Sequence, residues 1–190
     1  MLLTLKLFYF YFGDIMNALS NTIPTDIFLT EKGFANLKAM LARKQAEYAE
    51  VREHRQVAFE LSGDGWHDNP EFNRQQQMEA NLNHLVKTLT DRIAQAKPLT
   101  IMDGNRPIEQ VAIGSVVNIT RYNLNTDEEL NETWEIVGFD ETDVNAWQIG
   151  YNAPLAKAIY GLTVGEISEE LILGNQVWEI EINQLFSYKP

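Results

Sequence analysis

The chain has no cysteine. That excludes a disulfide framework, a zinc ribbon or finger and a thiol nucleophile, and it suits a reducing compartment, so a cytoplasmic location is expected. Positive charge is scarce, with 15 Lys and Arg against 27 Asp and Glu and a net charge of -12. A surface of that sign does not grip a nucleic-acid backbone non-specifically. No apolar run approaches the ~20 residues that span a bilayer, so no membrane partner is expected. Internal repeats and low-complexity tracts are also missing. What remains is ordinary for a folded protein of 190 residues, with 45% apolar and 22% charged side chains.

The charge is uneven along the chain. Residues 25–99 hold 10 basic and 11 acidic side chains, whereas residues 100–190 hold 4 and 15. Such a difference points to two domains with different partners. Residues 1–24 stand apart from both. Their apolar run carries Lys6 and lacks a basic start, so it fits neither a secretory signal nor an amphipathic surface helix. They are expected to be a leader, disordered or a mis-assigned start ahead of Met16.

Residues 25–99 have helical period. Thr30 suits an N-cap, and Phe34, Leu37, Leu41, Lys44, Tyr48, Val51, Arg55 and Ala58 step by three and four with no Pro or Gly between. Turn-forming residues follow at 63–69. Asn69 can then cap a second helix with Pro70 at its first position, and Met78, Leu82, Leu85, Leu89, Ile93 and Ala96 give it an apolar stripe. Two such helices joined by a short turn bury their stripes against each other as an antiparallel coiled-coil hairpin. His54 and His84 fall within it and are read as interhelical or solvated.

Residues 100–190 change period. The stretches 111–122, 133–138, 169–173 and 177–182 are short, β-branched and aromatic, with turns at 127–129 and 174–175 and a short helix after Pro154. The expectation is α+β: the hairpin, then a compact antiparallel β domain. Trp134, Trp147 and Trp178 are read as core or half-core, and Trp66 as packing on Phe59 and Phe72.

The hairpin tip gathers Asp64, His67, Asp68 and Glu71. Carboxylates supply hard oxygen ligands suited to Mg²⁺ or Mn²⁺, although the same residue types serve any turn and helix cap. A bare tip gives a metal little outer-shell support, so the chemistry is stronger if a partner holds the ion.

Three stretches carry a family resemblance. They are Leu29-Thr30-Glu31-Lys32-Gly33, then Gly63-Asp64 followed by Asp68-Asn69-Pro70-Glu71-Phe72, and Asn152-Ala153-Pro154-Leu155-Ala156-Lys157-Ala158-Ile159. In this order they resemble the Gre transcript cleavage factors of bacterial RNA polymerase, over roughly residues 26–187. The resemblance implies an N-terminal coiled coil and a C-terminal FKBP-like domain. It implies a monomer that places Asn152 and Pro154 on polymerase, the coiled coil in its secondary channel, and Lys44, Arg52, Arg55 and Arg74 toward the nascent RNA 3′ end. Asp64 and Asp68 would then complete a Mg²⁺ ion shared with the polymerase, with no cofactor of the factor's own, and assist RNA cleavage by the polymerase active site.

This chain departs from the family at the tip. One extra residue separates the acids, Asp68 stands where the family has Glu, and Glu60 and Gln76 occupy positions usually basic. A Gre-fold factor that binds the channel but inhibits or retunes polymerase is therefore a second reading. A prolyl isomerase-type domain with a helical arm is a third, from another class. Neutral imidazole is a poor Mg²⁺ ligand, so His67 is expected to matter less than the two acids.

Overall fold

The computed structural model describes residues 23–189. The expected leader lies outside them except for Ile23 and Pro24, which are half-buried, Ile23 against the core of the sheet domain. In chain order the elements are β1 (Phe28–Leu29), α1 (Glu31–Ser62), a 3₁₀ turn (Gly63–Asp68), α2 (Pro70–Gln95), β2 (Lys97–Pro98), β3 (Val116–Asn123), β4 (Glu129–Val137), β5 (Gln148–Gly150), α3 (Pro154–Ile159), β6 (Leu171–Leu173) and β7 (Gln176–Phe186). This is the α+β arrangement expected, a long helical hairpin and a curled sheet domain.

Two compact units result. Phe34–Ala96 is the hairpin, and the described residues up to Gly33 and from Lys97 onward form the sheet unit. The divisions expected at 24/25 and 99/100 thus fall at 33/34 and 96/97. The cause is burial and pairing. Phe28 and Leu29 are buried, β1 runs parallel to β2, and the Lys97 and Leu99 amides donate to the Ile27 and Leu29 carbonyls at 2.7 and 2.8 Å.

The hairpin seam follows the heptad in α1. Every one of Phe34, Leu37, Leu41, Lys44, Tyr48, Val51, Arg55 and Ala58 is at least half-buried. In α2 the stripe differs from expectation. Met78 and Leu85 are exposed, and the inward positions are Phe72, Gln75, Glu79, Leu82, Val86, Leu89, Ile93 and Ala96. Those positions keep the three–four stepping from the start of the helix, and the apolar reading missed it because Gln75 and Glu79 are polar. Glu79 is there for a reason. It receives Arg55 at 2.6 Å and Arg52 at 3.6 Å, balancing the basic interruption in α1.

The sheet has the order β5-β4-β3-β7-β6. All neighbours are antiparallel except β4 and β5, which pair in parallel, so the expected antiparallel sheet is mixed. The link between them turns twice, through left-handed Asp140 (φ 57°) and Trp147 (φ 54°), and brings β5 back in β4's direction. Residues 111–115, expected to extend the first strand, instead form a buried loop ahead of β3. Val117, Ile119, Trp134, Ile136, Ile149, Ala156, Ile159, Ile180 and Ile182 fill the core. Trp147 is 51% exposed, its ring resting on Trp134 with centroids 5.1 Å apart, which corrects its placing in the core.

The start of α1 is pinned to this unit. Thr30 Oγ1 accepts from the Gly33 amide at 3.1 Å, the expected N-cap, and the Glu141 carboxylate accepts from both the Thr30 amide (2.7 Å) and hydroxyl (2.5 Å). A β carbon at Gly33 would stand 2.1 Å from Glu141 Oε1, so the site needs glycine.

Buried Tyr151 completes the anchorage. Its hydroxyl donates to the Asp26 carbonyl at 2.6 Å and accepts from the Phe28 amide at 3.2 Å, and burial raises its pKa. Tyr151→Phe leaves the buried Phe28 amide without its acceptor and removes the part-buried bond to the Asp26 carbonyl, and chemical denaturation should show a loss of about 1–3 kcal/mol.

Candidate functional site at the hairpin tip

The tip is built by closing two helix ends on each other. Ser62 Oγ donates to the Ala58 carbonyl at 2.6 Å. Asn69 caps α2, its Oδ1 accepting from the Glu71 and Phe72 amides at 2.9 and 3.4 Å, and Pro70 takes the first helical position. The Asn69 Nδ2 donates across to the Ala58 carbonyl at 3.3 Å and to Ser62 Oγ, so one side chain ties both helices. Gly63 carries φ 52° where α1 stops, a conformation that disfavours any residue with a β carbon.

An aromatic cluster sits beneath. Trp66 packs on Phe72 and Phe59 with centroids 5.0 and 5.8 Å apart, and Phe59 and Phe72 meet at 6.1 Å. The packing expected for Trp66 is what the structure contains. His67 lies against Trp66 at 3.4 Å, and its carbonyl accepts from Asn73 Nδ2 at 3.3 Å. The extra residue of the tip is absorbed in this way, as a 3₁₀ turn folded onto its own tryptophan.

Asp64 and Asp68 are both exposed. Among the described residues neither carboxylate has a hydrogen-bond or ion-pair partner. Glu71 differs, being held by Arg74 at 2.8 and 3.0 Å and by Gln75 at 2.6 Å. The Arg74 bond, then the Gln75 bond, pull its pKa from 4.5 to about 2. A lowered carboxylate stabilises the fold above its ordinary pKa and loses that contribution as the pH falls through the folded value. Melting temperatures of the protein and Glu71→Gln should therefore differ above pH 4.5 and converge as the pH approaches 2.

The four basic residues expected toward RNA are all engaged within the hairpin. Lys44 pairs with Glu47 at 2.6 Å, Arg52 and Arg55 with Glu79, and Arg74 with Glu71. Arg55 also lies over the Phe72 ring at 5.9 Å. Sequence reasoning missed Glu79 as the organiser of this group. Its place on the seam is legible by counting threes and fours back from Leu89.

On the sheet unit, Asn152 and Pro154 lie where β5 gives way to α3. Asn152 Oδ1 accepts from the Asp140 amide at 2.9 Å and its Nδ2 donates to Asp140 Oδ1 at 2.7 Å. Pro154 opens α3 and is exposed. Asn152 thus holds the left-handed Asp140 turn, whatever else it touches.

Among the described residues no group of three or more His, Asp or Glu side chains converges as a metal site. The donor set at the tip fits a divalent ion in one way only, by adding free oxygen ligands to an ion whose other ligands belong to a partner.

The chain thus combines two units, a long helical hairpin whose tip acids are unpaired and a small curled sheet domain. Residues 106–184 match the family described as "Transcription elongation factor, GreA/GreB, C-term". Transcription elongation factor GreA of Maricaulis maris is 27% identical over 160 residues, covering 81% of this chain and 88% of that protein. GreA of Nautilia profundicola is 28% identical over 159 residues, with 80% and 91% covered. The solved structure of GreA factor homolog 1 (Gfh1) of Thermus thermophilus aligns at 22% identity and a TM-score of 0.38, covering 84% and 98%. Residues 106–184 thus match a GreA/GreB C-terminal domain, and over most of its length the chain is similar to GreA transcription elongation factors.

Proposed function

We propose that this factor binds bacterial RNA polymerase at its secondary channel and stimulates the polymerase active site to cleave backtracked nascent RNA. The observation that carries the reading is the pair of unpartnered carboxylates, Asp64 and Asp68, at the end of a helix ~48 Å long. Such an arm reaches into a deep channel while the sheet unit, with Asn152 and Pro154 on its surface, stays outside. Asp64 and Asp68 would add oxygen ligands to a divalent ion held by the polymerase, and that ion would supply the activation of water for attack on a phosphodiester. The chain's own work is to carry oxygen donors to that ion and to hold them on a rigid turn. It acts as a cofactor of the polymerase centre, as one copy per complex, in the compartment where transcription occurs.

A second reading, channel binding without cleavage, has a specific support. The basic side chains that would guide RNA are neutralised by Glu47, Glu71 and Glu79. Stalled elongation complexes separate the two. The protein should shorten the transcript, and Asp64→Asn/Asp68→Asn should bind polymerase within a few-fold yet shorten nothing. Wild-type protein that binds and never shortens the transcript would establish the second reading.

A further inference from the structure

The sheet leaves one strand partly uncovered. β4 runs from Glu129 to Val137, yet β5 pairs with it only over Glu135–Val137. β3 covers its other side along Glu129–Glu135. Among the described residues nothing pairs with Glu129–Trp134 on the β5 side. The ladder decides which groups face that gap. The Glu135 amide donates to the Trp147 carbonyl at 2.9 Å, on the β5 side. The Ile136 amide donates to the Ser115 carbonyl at 2.8 Å, on the β3 side. Backbone groups alternate sides along a strand, so Asn131 and Thr133 turn both N–H and C=O outward.

A recess of about 280 Å³ lies beside these groups, with Val116, Asn131, Thr133, Trp134, Trp147 and Lys189 in its lining. Trp147 is 51% exposed there, held in a left-handed conformation (φ 54°, ψ 44°) that a bulky side chain rarely adopts. The carboxylates of the recess are already matched. Glu132 meets Arg121 at 2.7 Å and accepts from Trp134 Nε1 at 3.0 Å, and Glu135 meets Arg106 and Lys189, each at 2.9 Å. What the recess offers is therefore open backbone and an indole surface, the combination by which a sheet edge takes up an extended peptide. Proteins normally blunt such an edge.

The approach to the edge is acidic. Asp127, Glu128 and Glu129 are exposed where β4 begins, and residues 100–190 hold 4 basic side chains against 15 acidic. That sign opposes a second copy of the same unit and favours a basic partner. We infer that the open edge of β4 binds an extended, basic segment of another protein as an added strand. An apolar side chain of that segment rests on Trp147, and its Lys or Arg side chains face Asp127, Glu128 and Glu129. The edge belongs to the sheet unit, so its occupancy can be read whether or not the hairpin tip promotes cleavage.

The probe is a short capped peptide alternating lysine and valine, titrated into the isotope-labelled full chain and followed by amide and indole NMR signals. The Asn131 and Thr133 amides and the Trp147 indole should shift together, and exchange of both amides should slow about tenfold at saturation. The same peptide with glutamate for lysine should bind about tenfold more weakly. Methylating alternate peptide nitrogens should abolish binding in one phase and spare it in the other, because only every second amide of an added strand faces β4. Trp147→Ala should weaken binding several-fold while the core signals stay in place. Thr133→Pro removes one outward N–H and no ladder bond, and should weaken binding as much. Shifts confined to other residues, an equal response to the glutamate peptide, or methylation that acts alike in both phases overturns the inference. So does protection of the Thr133 amide in the free chain that vanishes on dilution, which assigns the edge to a second copy. Protection that vanishes on deletion of residues 1–22 overturns it too, by assigning the edge to the chain's own N-terminus.

Discussion

Asp64→Asn should reduce stimulated transcript cleavage by about 10²-fold or more, close to 3 kcal/mol of transition-state stabilisation. The substitution keeps the shape of the side chain and removes its charge. Asp64 is exposed and makes no bond to the rest of the hairpin, so folding and insertion have nothing to lose from the change. Polymerase affinity should stay within a few-fold, measured by competition against labelled wild-type factor. Raising the divalent ion concentration should recover part of the rate, because the missing oxygen weakens occupancy rather than the polymerase chemistry. A comparable loss of binding would show instead that Asp64 is a docking residue.

Phe72→Ala should be the most damaging single change in the hairpin. Phe72 is 5% exposed near the free end of the arm, where little else is buried. Its ring supports Trp66, Phe59 and the Arg55 guanidinium at once. Truncating a buried phenylalanine costs about 3–5 kcal/mol. The loss falls at the end of the arm, so it should appear first as local opening, with amide exchange accelerated across residues 59–75 while the sheet unit keeps its protection. Cleavage should fall with it, because Asp64 and Asp68 lose the platform that holds the turn. Phe72→Leu retains much of the buried volume and should recover most of both. Unchanged exchange in Phe72→Ala would mean that the Asn69 bridge holds the tip alone.

The two predictions draw on different levels of the sequence. The seam of α1 was legible because a heptad needs only the count of threes and fours, and polar Lys44 and Arg55 did not break it. The seam of α2 was not, because its first inward positions after Phe72 are Gln75 and Glu79, and apolar character singled out Met78 and Leu85 in their place. Glu79 faces inward to meet Arg55, a pairing between two helices that neither helix records by itself. The same limit hid β1. A two-residue strand has no periodicity to read, yet Phe28 and Leu29 are buried through pairing with residues about 70 positions away.

At the tip, the residue types were legible and their arrangement was not. Asp64, His67 and Asp68 stood out by chemistry, and the aromatic packing of Trp66 followed from having apolar neighbours within reach. Which of them share a face depends on whether residues 63–68 are an open turn or a 3₁₀ helix. Turn-forming residues permit both, and the choice is made by Trp66 folding onto Phe59 and Phe72. The Trp147 placement failed for a related reason. An aromatic beside a strand usually enters the core, but the left-handed backbone at residue 147 turns this one outward onto Trp134.

The central claim is that the hairpin carries its tip acids to the polymerase active centre, and photocrosslinking from residue 64 measures that most directly. A photoreactive side chain at position 64, in a complex stalled with backtracked RNA, should attach to the RNA 3′ end and to the polymerase segment bearing the catalytic metal ligands. Crosslinks confined to the outer rim of the polymerase, with none to RNA, would contradict it.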